Sequence, residues 1–210
     1  MKTETKPMRP GDVLLLRTAT WGILTPLVGW LVDYDHVALY YAETKRGLPL
    51  IIESIGRGVL IRSLLVYSGR QARLMRPRVN DETALRIAKE AERLPDNPDS
   101  WYGYFDIPRY VLPKLVLAKI GQLLPSRWTL ALKLLALSYR RNHLYICSEL
   151  VAEAYRRAGV PLIDESTISL PDDIARSAML DSLGDTAIPL PEILTPNARL
   201  MNRLVNRAGL

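Results

Sequence analysis

The chain has 210 residues, 48% hydrophobic and 24% charged, the proportions of an ordinary globular protein with enough apolar material for one sizeable core. Its one cysteine excludes an internal disulfide and a multi-cysteine zinc site, and suits a reducing compartment. The net charge of +6 hints at an anionic partner, and the polar stretch Met1 to Pro10, with no apolar run behind it, does not read as a secretory signal; a cytoplasmic location is expected.

Arg9-Pro10-Gly11-Asp12 reads as a turn, followed by a short buried strand over Val13 to Arg17. Thr18 to Asp33, with Trp21, Gly22, Pro26, Gly29 and Trp30, reads as a loop holding a short helix. Further strands are predicted at Asp35 to Tyr41, Pro49 to Ser54, Gly58 to Arg62 and Gln71 to Arg76. These are short runs with tight connections, which points to an antiparallel sheet. Asp81 to Leu94 is the clearest helix, capped by Asn80 or Asp81, with Leu85, Ile87, Ala88 and Ala91 as its apolar stripe.

A loop over 95–100 leads to the aromatic cluster Trp101 to Asp106. Ile107 to Leu124 and Trp128 to Leu137 are then two apolar runs separated by Pro125-Ser126-Arg127. The first is long enough to raise a membrane span, but Arg109, Lys114 and Lys119 lie inside it and each charge is costly at a bilayer centre. Two amphipathic helices are expected here, packed on the domain or lying on a membrane surface. A helix follows from Cys147, with Leu150, Val151, Ala154 and Ala158 on one face and Gly159 and Pro161 ending it. Ser169 and Asp172 look like the capping box of a short helix running to Met179, and 189–210 is a basic tail.

The lone cysteine therefore stands at a predicted helix N-terminus, where free N–H groups and the helix dipole favour a thiolate. The alternative is a buried structural cysteine. A nucleophilic cysteine needs a base, and the base an orienting acceptor. Only two histidines are present. His143 lies four residues before Cys147, so the chain would have to fold back sharply to bring it to the sulfur. His36 starts a strand, from which its ring can face a helix N-terminus. Glu53 is an acid inside an apolar strand, and burying a carboxylate without a partner is expensive. Adjacent antiparallel strands place it beside His36, where it can accept the imidazole N–H. Catalytic candidates are thus Cys147, His36 and Glu53. There is no phosphate loop and no metal-ligand spacing, so neither cofactor nor metal is expected.

These segments resemble a family. Gly11-Asp12-Val13-Leu14-Leu15, Asp35-His36-Val37-Ala38-Leu39-Tyr40, Ile52-Glu53-Ser54 with Gly58-Val59, and Tyr145-Ile146-Cys147-Ser148-Glu149-Leu150-Val151 resemble the circularly permuted papain-like branch of the NlpC/P60 superfamily, and within it the YiiX/YebB-like hydrolases. Tyr104-Phe105-Asp106 and Pro171-Asp172-Asp173-Ile174-Ala175 share that resemblance. It implies an α+β fold: a small antiparallel sheet packed on helices, one domain over 1–210, with a helical insertion at about 107–140 and the basic tail at about 189–210. It implies His36 as base, Glu53 as orienting residue and Cys147 as nucleophile. Asp35 departs from the family, where Ser is usual before the histidine.

The expected activity is a cysteine hydrolase that cleaves an amide or ester of a peptide or acyl-lipid through an acyl-enzyme. The alternatives are a thiol acyltransferase acting on lipids and a non-catalytic binding protein of the same fold. A peripheral contact with an anionic membrane through about 107–137 is the expected partner surface beyond the substrate. Nucleic acid is not expected, because the basic residues are dispersed rather than interleaved with stacking aromatics.

Overall fold

The computed structural model describes residues 6–18, 33–55, 58–94, 147–163 and 169–188. The predicted loop helix before residue 33, the aromatic cluster, the apolar runs of 107–137, His143 and the tail lie outside them.

Six strands form one sheet: β1 (Val13–Leu16), β2 (His36–Glu43), β3 (Pro49–Ile55), β4 (Gly58–Ser63), β5 (Gln71–Pro77) and β6 (Leu180–Ala187). Their order is β4-β3-β2-β1-β5-β6, and every neighbouring pair is antiparallel. A 3-10 turn at Leu64–Tyr67 follows β4. Three helices complete the described fold: α1 (Asp81–Glu92), α2 (Cys147–Arg157) and α3 (Pro171–Ala175). This is an α+β architecture, as the sequence indicates.

The unbroken apolar run Val13–Leu16 has a simple cause. β1 is central and covered on both faces, so its side chains are buried without alternation. Val13 and Leu15 join Val37, Leu39, Ile52 and Met75 in a core closed by Ile87, Ala88 and Ala91 of α1 and Leu150, Val151, Ala154 and Tyr155 of α2. Leu14 and Leu16 face the other way, with Ala38, Tyr40, Ile51, Leu64 and Leu74. Each fully buried Leu or Val contributes about 1.5–3 kcal/mol relative to exposure, which makes the α2 face a main anchor of the helix.

α1 starts where Asn80 accepts the Thr83 N–H at 2.9 Å, with Asp81 and Glu82 in its first turn. Its buried stripe is Ala84, Ile87, Ala88 and Ala91, whereas Leu85 is 45% exposed. The expected stripe is therefore turned by one residue, because the helix must present Ala84 to the Gly11 turn. Gly11 has φ of +87°, and a Cβ there would lie 2.7 Å from the Ala84 carbonyl oxygen. The Gly11 carbonyl accepts the Tyr155 hydroxyl at 2.6 Å. Asp12 is fully buried and accepts the Arg9 N–H at 3.0 Å and two Arg76 donors at 3.0 and 2.7 Å. The Gly-Asp turn is thus the knot that ties β1, β5, α1 and α2 together.

α2 ends in a Schellman-type cap, with Gly159 at φ +79° and the Val160 N–H donating to the Tyr155 carbonyl at 2.9 Å. α3 begins one residue later than the Ser169 capping box implies. Leu170 is the N-cap, and its N–H donates to Asp173 at 3.0 Å while its carbonyl accepts the Asp173 N–H at 3.0 Å. The helix stops at Ala175, and the chain enters β6, a strand the sequence reading lacks.

Candidate functional site

The site gathers where β2 and α2 begin, since His36 and Cys147 are each the first residue of their element. β2 is entered under tight control. The Asp35 N–H donates to the Leu16 carbonyl at 3.2 Å, and the Asp35 carboxylate accepts the Thr18 N–H at 2.6 Å. That is the local role of Asp35. His36 then pairs with Leu16 across β1.

β3 runs antiparallel to β2 with Leu39 opposite Ile52. One further step of that register sets Ala38 opposite Glu53, so His36 and Glu53 are diagonal neighbours on one face. Their alternation is that of Ala38 and Ile51, which belong to the cluster away from α1 and α2. Cys147 sits on the helix of the opposite face and is partly exposed.

Glu53 has no exposed surface; its Oε2 takes two hydrogen-bond partners, while its Oε1 faces a cation without a hydrogen bond. The His36 Nε2 lies 2.7 Å from Oε2. The Tyr67 hydroxyl donates to the same oxygen at 2.6 Å. Arg62 Nη1 stands 3.2 Å from Oε1, an ion pair whose N–H is not aligned for a hydrogen bond. Burial pushes the Glu53 carboxyl up, but the hydrogen bond and charge of His36, then the Tyr67 hydroxyl and Arg62, outweigh it and hold the group below its ordinary 4.5.

Burial alone would push His36 down. The charge and hydrogen bond of the Cys147 side chain, and then those of Glu53, override it and raise the imidazole to about 10. Nε2 is held by Glu53, which leaves Nδ1 as the ring nitrogen for a second partner. Tyr67 is pushed above the usual phenol range by burial first and then by the Glu53 charge. Its ring lies 5.8 Å from that of His36, tilted by 43°.

The structure therefore brings His36 and Glu53 into contact, with Cys147 near enough to act on the imidazole's charge. It adds Arg62 and Tyr67, which sequence reasoning missed. A signal for Arg62 was available: it follows Leu60 by two in β4, and Leu60 is opposite Glu53, so both lie on the carboxylate's face. Nothing in the local sequence marks Tyr67, which is placed by the 3-10 turn. Among the described residues, no group of three or more His, Cys, Asp or Glu side chains is placed to hold a metal ion. No helix among them is long and apolar enough to cross a membrane.

No protein-family model matches the chain, and no curated protein matches it. Among solved structures it is similar to the crystal structure of the metalloprotein yiiX from Escherichia coli, with a TM-score of 0.55 over 86% of this chain and 98% of that one. The two are 13% identical, so the likeness is one of fold.

Proposed function

We propose that this chain is a cysteine hydrolase of the permuted papain-like type, acting on an amide or ester of a peptide or acyl-lipid. One observation carries the reading. A buried imidazole is hydrogen-bonded to a buried carboxylate at 2.7 Å, and the side chain of the chain's sole cysteine is near enough to help raise the imidazole's pKa. That is the nucleophile, base and orienting group of acyl-transfer chemistry. The yiiX-like fold supports it.

In the proposed reaction the Cys147 thiol proton resides on His36 Nδ1, and the sulfur attacks the substrate carbonyl. The Cys147 backbone N–H, a first-turn donor with no partner within the helix, takes the developing oxyanion. His36 then gives its proton to the leaving amine or alcohol, and the acyl group stays on the sulfur. Water, deprotonated by His36, releases the acid and restores the thiol. Glu53 keeps the ring oriented and its positive form stable throughout. The yiiX protein is described as a metalloprotein; the residues gathered here do not form a metal-ligand set, and no step runs through one. In this reading the chain is one domain, with about 107–140 an insertion whose apolar runs meet lipid or a partner.

The test is acyl-enzyme capture with activated esters and acylated peptides, read by intact mass. Wild type should gain one acyl group, and Cys147→Ala none, with its melting curve unchanged. An identical adduct on Cys147→Ala would sink the assignment.

A further inference from the structure

We infer that the segment Ser169–Asp172 is a brace that sets the Cys147–His36 geometry, with Asp172 and Ser148 as positioning residues; this rests on the function proposed above. Cys147 and His36 come from distant parts of the chain and from different elements, so something must fix one against the other. Strand pairing fixes His36 against β1 and β3, and helix packing fixes α2 against the core. Neither joins the two element starts directly.

The brace does. Asp172 is 7% exposed and is aimed at the backbone just ahead of His36. Its Oδ2 accepts the Asp33 N–H at 3.0 Å, and its Oδ1 accepts the Tyr34 N–H at 3.0 Å and shares that of Asp33 at 3.2 Å. Charge-assisted bonds of this kind are about twice as strong as neutral ones. Arg176 stands 3.8 Å from Oδ2 and donates to the Asp172 carbonyl, which fixes the helix turn that carries the carboxylate. Three residues earlier, the Ser169 carbonyl accepts the hydroxyl of Ser148 at 2.6 Å. Ser148 has no exposed surface and directly follows Cys147. Between these two ties the chain is stiffened by the reciprocal Leu170–Asp173 bonds. One short segment thus grips the start of α2 at one end and the approach to β2 at the other.

Both oxygens of Asp172 face N–H donors, so the site requires a carboxylate. An Asn in its place would turn an NH2 group against one of those donors. Because the chain has one cysteine, alkylation by iodoacetamide reads Cys147 alone. The readout is the ratio of its rate at pH 6 to that at pH 9, which depends on a neighbouring imidazolium and not on global stability. Wild type should show a high ratio and His36→Ala a low one. Asp172→Asn should lower the ratio by about tenfold, as expected for a displacement of a fraction of an ångström between the reacting groups. Ser148→Ala, which removes one oxygen, should move it in the same direction and covers the case in which Asp172→Asn does not fold. Tyr155→Phe, a remote change on α2, should lower the melting temperature and leave the ratio alone. A wild-type ratio in Ser148→Ala and in folded Asp172→Asn would overturn the brace. Equal ratios in wild type and His36→Ala would instead overturn the proposed pair.

Discussion

Replacing Glu53 by Gln removes a charge and nothing else of size. The carboxylate is fully buried, and Gln has the same shape, so no cavity term enters. What changes is the strength of the bonds ending on Oε2, from His36 at 2.7 Å and Tyr67 at 2.6 Å. Hydrogen bonds to a charged group contribute about 1.5–3 kcal/mol each, and their neutral counterparts about half that, so two bonds lose roughly 1.5–3 kcal/mol. Arg62 adds a smaller loss, because its side chain is 27% exposed and misaligned. A total near 3 kcal/mol corresponds to a fall in Tm of roughly 6–12 °C for a chain of this size. Urea unfolding at pH 7 measures it. The pH dependence has a definite sign. The folded Glu53 carboxyl lies below its ordinary 4.5, so its contribution is complete above pH 4.5 and is lost as the pH falls through the folded value. Wild type and Glu53→Gln should therefore converge in acid. A loss under about 0.5 kcal/mol at pH 7, or a gap that widens in acid, would show that this carboxyl is not the buried anion described.

The stability that wild type has over His36→Ala should be complete below pH 6.5 and shrink as the pH rises towards about 10, because the folded imidazole titrates above its ordinary value; denaturant melts across that range check it, and a constant gap counts against the imidazolium. Gly11→Ala should cost more than about 2 kcal/mol, since it combines a φ of +87° with a Cβ at 2.7 Å from the Ala84 carbonyl, and a melting curve like wild type's would contradict that close approach. Flotation with anionic liposomes at low salt should carry the chain upward through 107–137, and equal flotation of a chain trimmed of these residues removes that segment as the lipid contact.

Five of the six strands and the three described helices could be read from the sequence, the strands and the two longer helices because each has a strong apolar pattern over a short span. β6 could not. Its sequence Leu180–Ala187 buries few residues, carries Gly184 near a register shift against β5, and is held by Arg78–Asp181 and Arg73–Asp185 pairs that no local pattern announces. Leu85 misled for a related reason: helical periodicity locates a stripe only to within a residue, and contact with the Gly11 turn decides which side faces in. At the site, an acid in an apolar strand was enough to pair Glu53 with a histidine. Tyr67 and the Asp172 brace needed the third dimension, because their partners are set by a turn and by a backbone segment rather than by any spacing.

The central place of β1 has a further consequence, for how the sheet is made and unmade. β2, β3 and β4 form a meander with short connections, whose closure costs little entropy. β5 and β6 pair across the length of the chain and close slowly. Among the described residues the two groups share no ladder of their own; there, only Val13–Leu16 is hydrogen-bonded to both. Proteolytic loss of the chain through Leu16 would thus open two raw strand edges at the middle of the fold and leave a sheet that pairs with copies of itself.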